Sequence, residues 1–154
     1  MSWTTSEAFK EISKGDAAAE DFMRRFYCWV HMRDDLIDKD KVVAPDVAAG
    51  FDLTLLHAFA QNSFFQKNQD YLWPVLMTSA LAWVASEDRQ QSQDVLERII
   101  AQILKSEYVN VFFAVAFLVG GWDHAVKMSR QFREYAFDNE LVKTQKIGHT
   151  KEEG

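Results

Sequence analysis

The chain has 154 residues, 48% hydrophobic and 26% charged, so it is long enough and apolar enough to form one globular domain. Its net charge of −6 argues against a nucleic-acid-binding surface, which needs clustered Lys and Arg side chains. Cys28, the single cysteine, cannot form an internal disulfide, and the N-terminus lacks the basic and apolar segments of a secretory signal. We therefore expect a cytoplasmic protein without a disulfide framework.

Apolar residues recur at spacings of three and four along most of the chain, whereas alternating strand patterns are scarce. This pattern predicts an all-α fold. The predicted helices, in chain order, are 6–13, 17–39, 45–59, 70–85, 88–104, 107–119 and 122–139. We expect them to form a single bundle of six or seven helices over residues 1–142, followed by a flexible polar tail over residues 143–154.

Helix-terminal signals support several of these boundaries. Thr4 and Glu7 have the spacing of a capping box at the start of the first helix, and Gly15 follows its end. The glycine pair at 120–121 predicts a break between the last two helices. The most apolar segment, 109–119, is about 11 residues long, whereas a helix needs roughly 20 to cross a bilayer. The sequence therefore predicts a core helix there and no transmembrane segment.

The second helix is the best defined, because its apolar residues lie within one broad arc at 100° per residue. Arg33 falls within the same arc, where an unpaired charge would be costly, so it should meet a carboxylate or an anionic ligand. The side chains predicted to form the buried face are Phe22, Phe26, Trp29, Val30, Leu36 and Ile37.

Three acids stand close together near the end of this helix. Asp34 and Asp38 are one helical turn apart on one stripe, and Asp35 leans toward the side of His31. Carboxylates at this spacing repel each other, and hard divalent cations such as Mg²⁺ prefer oxygen ligands of this kind. From the spacing alone, a plain solvated helix face is favoured, with a Mg²⁺ site as the alternative.

The segment 26–40, FYCWVHMRDDLIDKD, resembles the first aspartate-rich motif of isoprenoid synthases. In trans-prenyl diphosphate synthases and in squalene and phytoene synthases, a DDxxD lies near the end of a long core helix. The resemblance implies a reduced bundle of the terpenoid-synthase type in which Asp34 and Asp38 hold Mg²⁺ ions that bridge to a small-molecule diphosphate. Asp35 would support them. The implied activity is a Mg²⁺-dependent transferase or lyase reaction on a prenyl diphosphate, in a cavity lined by aromatic side chains.

Other side chains would complete such a site if the last predicted helix faces the second. Asp123 and His124 follow the glycine break and would add metal or outer-sphere contacts, as would His31. Arg130 and Arg133 would contact the diphosphate.

Two alternatives remain open. No second aspartate-rich motif follows the first, and a non-catalytic helical interaction protein, in which aromatic helices build a core and a homodimer interface, accounts for this absence. The all-α nucleotide pyrophosphohydrolases also hold Mg²⁺ with acids on neighbouring helices, but their ExxE and ExxD pair is not evident here.

Overall fold

The computed structural model of the chain describes the backbone of residues 4–38 and 42–149 and the side chains within 4–37 and 42–134. The described residues are helical and contain no strand, which confirms the all-α fold class. In chain order the elements are α1 (Thr5–Ser13), α2 (Ala17–Asp38), α3 (Pro45–Gln61), α4 (Ser63–Gln90), α5 (Val95–Lys105), a 3₁₀ turn (Ser106–Tyr108) and α6 (Val109–His149).

The predicted capping box at α1 is confirmed. The Thr4 hydroxyl accepts a hydrogen bond from the Glu7 backbone N–H at 3.3 Å, and the Glu7 carboxylate accepts one from the Thr4 backbone N–H at 2.8 Å. Lys14 and Gly15, with φ of 51° and 81°, then turn the chain into α2. Both ends of this short helix are therefore fixed by local hydrogen bonds and backbone conformation.

The predicted break at the glycine pair is also confirmed. Gly121 has φ 74° and ψ −169°, a conformation that interrupts α6 and that glycine adopts without a steric penalty. The two arms of α6, residues 109–120 and 122–149, fold back on each other, since the rings of Phe112 and Phe132 lie 5.4 Å apart. Gly121 thus converts one long helical segment into an antiparallel hairpin.

The predicted number of helices is wrong. Because α5, the 3₁₀ turn and α6 follow one another directly, the described residues form five helical runs, the last of them bent back at Gly121, rather than six or seven separate helices. The predicted start of the fourth helix near residue 70 is also wrong. Asn62 caps α4 by accepting a hydrogen bond from the Phe65 N–H at 2.9 Å, so α4 begins at Ser63 and Pro74 lies inside it. α6 continues through residues 143–149 of the predicted tail, and residues 150–154 lie outside the described part of the chain.

The core lies where α1, α2, α4 and α6 meet. Phe112, on the first arm of α6, packs its ring against the rings of Phe9, Phe26 and Phe132 at centroid distances of 5.3, 6.0 and 5.4 Å. The largest fully buried side chains include Phe9, Phe22, Phe65, Phe112 and Phe132. The aromatic content of the chain therefore does contribute to a closed, ring-rich core.

The predicted buried face of α2 is correct at its centre and wrong at its end. Phe22, Phe26 and Val30 are buried, whereas Trp29 and Leu36 are half-buried. Ile37, in the last turn of α2, is 42% exposed.

One helical stretch, Val95–Glu134, is long and apolar enough to cross a membrane when judged by length and composition alone. A third of its most apolar window is buried inside the protein. A single stretch of this kind is weak evidence for a membrane span, since the core helix of a water-soluble protein passes the same test.

Candidate functional site

The acidic run at the end of α2 contains an ion pair that the sequence did not reveal. The Nζ of Lys105, in the last turn of α5, contacts Oδ1 of Asp34, and the two side chains are only 12% and 23% exposed. The same ammonium lies 5.4 Å from the ring centroid of Trp83. The carboxylate that the resemblance assigns to Mg²⁺ is thus neutralised by a cation of the protein itself, which weakens the repulsion that would call for a metal.

The predicted metal ligands are only partly described. Asp35 is half-buried next to Asp34, whereas the side chain of Asp38 lies outside the described residues. Among the described side chains, no group of three or more His, Cys, Asp or Glu residues is arranged to hold a metal ion. The Mg²⁺ site therefore stays a prediction.

Five residues were predicted to complete the site around the acids, and we call them the accessory residues. Two of them, His124 and Arg133, make contacts within α1 and α6. His124 Nε2 is 3.0 Å from the backbone oxygen of Ile12 in α1. Arg133 donates a hydrogen bond to Asn110 Oδ1 at 3.1 Å and lies over the ring of Phe113. These contacts hold the α6 hairpin together and attach it to α1.

The other three accessory residues differ in burial. Asp123 and Arg130 are exposed on the second arm of α6. His31 lies on α2 between two aromatic rings, with its centroid 4.1 Å from Tyr27 and 6.3 Å from Tyr108. Of the five accessory residues, His31 alone shares a helix with the acidic run.

A groove with a volume of about 1070 Å³ lies between α2, α3 and α4. Tyr108 of the 3₁₀ turn also lines it. Aromatic side chains supply much of its lining, namely Phe26, Trp29, Phe59, Trp73, Trp83 and Tyr108. We call this feature the aromatic groove. Phe26 also belongs to the buried core, so the base of the groove is continuous with the core.

One polar cluster is fixed in the wall of the aromatic groove. The Trp29 indole N–H donates a hydrogen bond to Asp52 Oδ1 at 2.8 Å, and the Arg33 guanidinium contacts the same oxygen at 3.3 Å. The guanidinium also lies over the Trp29 ring, 5.5 Å from its centroid. The prediction that Arg33 meets a carboxylate is confirmed, and the partner is on α3.

The rim of the aromatic groove is apolar and open to solvent. Leu56, Met77 and Val84 are 61%, 59% and 60% exposed, although all three line the groove. Contiguous exposed apolar side chains of this kind mark binding surfaces, because water-soluble proteins otherwise keep such patches small.

Sequence reasoning missed the groove, yet a signal for it is present in α4. The core stripe of α4 includes Phe65, Leu72 and Leu76. A second apolar stripe runs through Trp73, Met77, Ala80 and Val84, at spacings of four, three and four. A helix needs one apolar stripe to pack against a single core, so the second stripe on α4 indicates a further apolar surface.

Comparisons with known proteins give no relative of this chain. No family model matches it, and no curated protein or solved structure is detectably similar to it. The aromatic groove and the Asp34–Lys105 pair are therefore the features of the molecule that indicate a function.

Proposed function

We propose that this protein is a binding protein whose aromatic groove holds a bulky apolar small molecule. The observation that carries this proposal is a groove of about 1070 Å³, lined by six aromatic side chains, that is open to solvent. Sites for small molecules are typically concave, mostly apolar, about 300–1,000 Å³ in volume and furnished with a few fixed polar groups. The Trp29–Asp52–Arg33 cluster is a polar group of that kind.

The depth of the groove favours a small molecule over a flat protein partner. Phe26 and Val30 at the base are buried, whereas Leu56 and Met77 at the rim are exposed, and α2, α3 and α4 form three walls between them. A ligand in the groove would cover the rim side chains, each of which contributes roughly 1 kcal/mol or more when its exposed part is removed from water. Several such contacts amount to a useful part of the roughly 8 kcal/mol that a micromolar dissociation constant requires.

The Mg²⁺-dependent binding or turnover of a prenyl diphosphate is a second candidate, and one observation favours it. Trp29, Arg33 and Ile37 of α2 line the aromatic groove, and the same helix carries Asp34, Asp35 and Asp38. An aromatic cavity beside the acids is what the resemblance to isoprenoid synthases implies. The Asp34–Lys105 ion pair weakens this candidate, so we place it second.

Fluorescence titration with the neutral apolar probe N-phenyl-1-naphthylamine tests the first proposal. Three of the five tryptophans, Trp29, Trp73 and Trp83, line the groove, so binding should change the intrinsic fluorescence as well as that of the probe. We expect saturable binding of one probe per chain and displacement by farnesol. Binding that is absent, or that never saturates, would contradict the proposal.

Thermal shift with geranyl diphosphate separates the two candidates. The diphosphate candidate predicts stabilisation only when Mg²⁺ and the diphosphate are both present, and loss of that shift in Asp34→Asn/Asp38→Asn. The apolar-ligand proposal predicts a shift with farnesol that needs no Mg²⁺ and survives the double substitution. Because this experiment includes Asp38, it also tests the predicted metal ligand whose side chain is not described.

A further inference from the structure

We infer that the ligand of the aromatic groove is a lipophilic cation, an amine, ammonium or phosphonium with a bulky apolar body, whose charge lies against Glu87. This inference rests on the proposed function, since it specifies the chemical class of the molecule that the groove holds.

The charged side chains that line the groove leave an excess of negative charge. Three charged side chains line it, Arg33, Asp52 and Glu87. Arg33 and Asp52 contact each other at 3.3 Å, so their charges compensate within the wall. Glu87 is exposed, and within the described part of the chain no side chain forms a hydrogen bond or ion pair with it. The uncompensated charge that a ligand in the groove would meet is therefore negative.

Glu87 lies beside one of the aromatic side chains of the groove, Trp83. Glu87 lies four residues after Trp83 on α4, so both side chains are on the same face of the helix, and both line the groove. Aromatic faces attract cations through the quadrupole of the ring, most strongly at Trp. A carboxylate beside an indole in an apolar groove provides two independent attractions for one positive charge.

Two rings of this groove already contact cationic side chains of the protein. Arg33 lies over Trp29 at 5.5 Å, and Lys105 lies 5.4 Å from the centroid of Trp83. Each of these cations also has its own carboxylate, Asp52 or Asp34, as a counter-charge. The pattern of one cation, one ring and one acid occurs once in the groove wall, at Arg33, and once behind it, at Lys105, and Glu87 offers the acid for a third cation that the ligand would bring.

The charge of the whole chain acts in the same direction. The net charge of −6 raises the local concentration of cations near the surface and lowers that of anions. An anionic amphiphile would meet Glu87 and Asp52 on the walls, with an Arg33 whose guanidinium is already shared with Asp52.

Tetraphenylphosphonium and tetraphenylborate test this inference, because they are bulky ions of nearly the same shape and opposite charge. Binding of each is measured by displacement of N-phenyl-1-naphthylamine at low salt. We expect the phosphonium to compete more tightly than the borate. We expect Glu87→Gln to weaken phosphonium binding by about fivefold, as for a partly exposed charge pair, and to change the affinity for the phosphonium more than the affinity for the neutral probe.

Asp88→Asn is the matched control. It removes the same charge one residue further along α4, from an exposed side chain that does not line the groove. It should leave the affinity for phosphonium within about twofold of the parent. Equal effects of Glu87→Gln and Asp88→Asn would overturn the inference, and so would tighter binding of the borate by the parent. If the neutral probe itself fails to bind, the proposed function fails first, whereas probe binding without cation preference rejects the charge assignment alone.

Discussion

The two sides of this helical bundle use the same kinds of apolar side chain in opposite ways. Where α1, α2 and α6 meet, Phe9, Phe112 and Phe132 are at most 1% exposed and pack ring against ring. Along α3, α4 and α5, side chains such as Leu56 and Ile99 are half exposed or more. Burial of apolar side chains on the first side stabilises the fold. The exposed apolar side chains on the second side would contribute free energy only when another molecule covers them.

The difference comes from which helices have a covering layer. The α6 hairpin and α1 cover α2 on one side, and His124 attaches the hairpin to α1 through the Ile12 carbonyl. On the other side, α5 is strongly amphipathic, yet Leu96, Ile99 and Ile103 on it are exposed. The inner faces of α3 and α4 thus belong to the closed core, whereas their outer faces and α5 carry apolar side chains without a covering element among the described residues.

The largest effect is expected from a pair of substitutions that contrasts the two sides. Phe112→Ala should cost about 3–5 kcal/mol in unfolding free energy, because it removes a fully buried ring and leaves a cavity among its neighbours. Met77→Ala, at the rim of the aromatic groove, should cost less than about 1 kcal/mol because Met77 is 59% exposed. Urea denaturation measures both. Similar costs for the two would show that the sides do not differ as described.

A smaller effect is expected at the ion pair behind the groove. Lys105→Met removes the ammonium that faces the mostly buried Asp34 and should cost about 1–3 kcal/mol. Adding Asp34→Asn should recover part of this loss, because the buried charge is then gone. Denaturant melts of the parent, both single variants and the double variant give the coupling energy. Strict additivity would show that the contact contributes nothing to stability.

Two glycine substitutions sharpen the comparison between the closed and the open side. A Cβ at Gly120 would lie 2.5 Å from the His124 ring, so Gly120→Ala should destabilise the protein by about 1–3 kcal/mol. Gly50 lies in α3 with nothing within 4 Å of an added Cβ, so Gly50→Ala should stabilise it by about 0.5–1 kcal/mol. Thermal melts distinguish the signs. Stabilisation by Gly120→Ala would mean that the two arms of α6 have room to separate.

The smallest effect concerns the exposed cap of α1. Hydrogen bonds from the backbone N–H and the hydroxyl of Thr4 lower the pKa of Glu7 below its ordinary value. Because the pKa is lower in the folded state, the stabilisation is present above the unfolded-state pKa and is lost as pH falls through the folded-state pKa. Parent and Glu7→Gln should therefore differ in melting temperature at neutral pH and converge in acid. A difference that persists at low pH would contradict a charge-dependent cap.

Local features of this fold could be predicted from the sequence, because short-range chemistry determines them. The Thr4–Glu7 cap and the Gly121 break depend on neighbouring residues, and the all-α class follows from periodicity. The position of Arg33 on an apolar face predicts a carboxylate partner, because an unpaired charge there is costly. That this partner is Asp52 depends on the packing of α3 on α2.

Features that depend on contacts between distant segments could not be predicted in this way. Lys105 is 71 positions after Asp34, and no local pattern connects them. Pro74 favours the first turns of a helix and so predicts a start near residue 70, whereas Asn62 caps α4 about two turns earlier. The aromatic groove needs three helices at once, and a second stripe on α4 shows only that some surface remains to be covered.

The most direct test of the central claim, that the aromatic groove is the binding site, is to fill it. Ala80 lines the groove on α4, so Ala80→Trp should occupy part of its volume, whereas Ala17→Trp adds the same ring at an exposed position outside it. We predict that Ala80→Trp lowers the affinity for N-phenyl-1-naphthylamine at least tenfold without destabilising the fold, and that Ala17→Trp binds like the parent. Unchanged probe binding by Ala80→Trp would contradict the account.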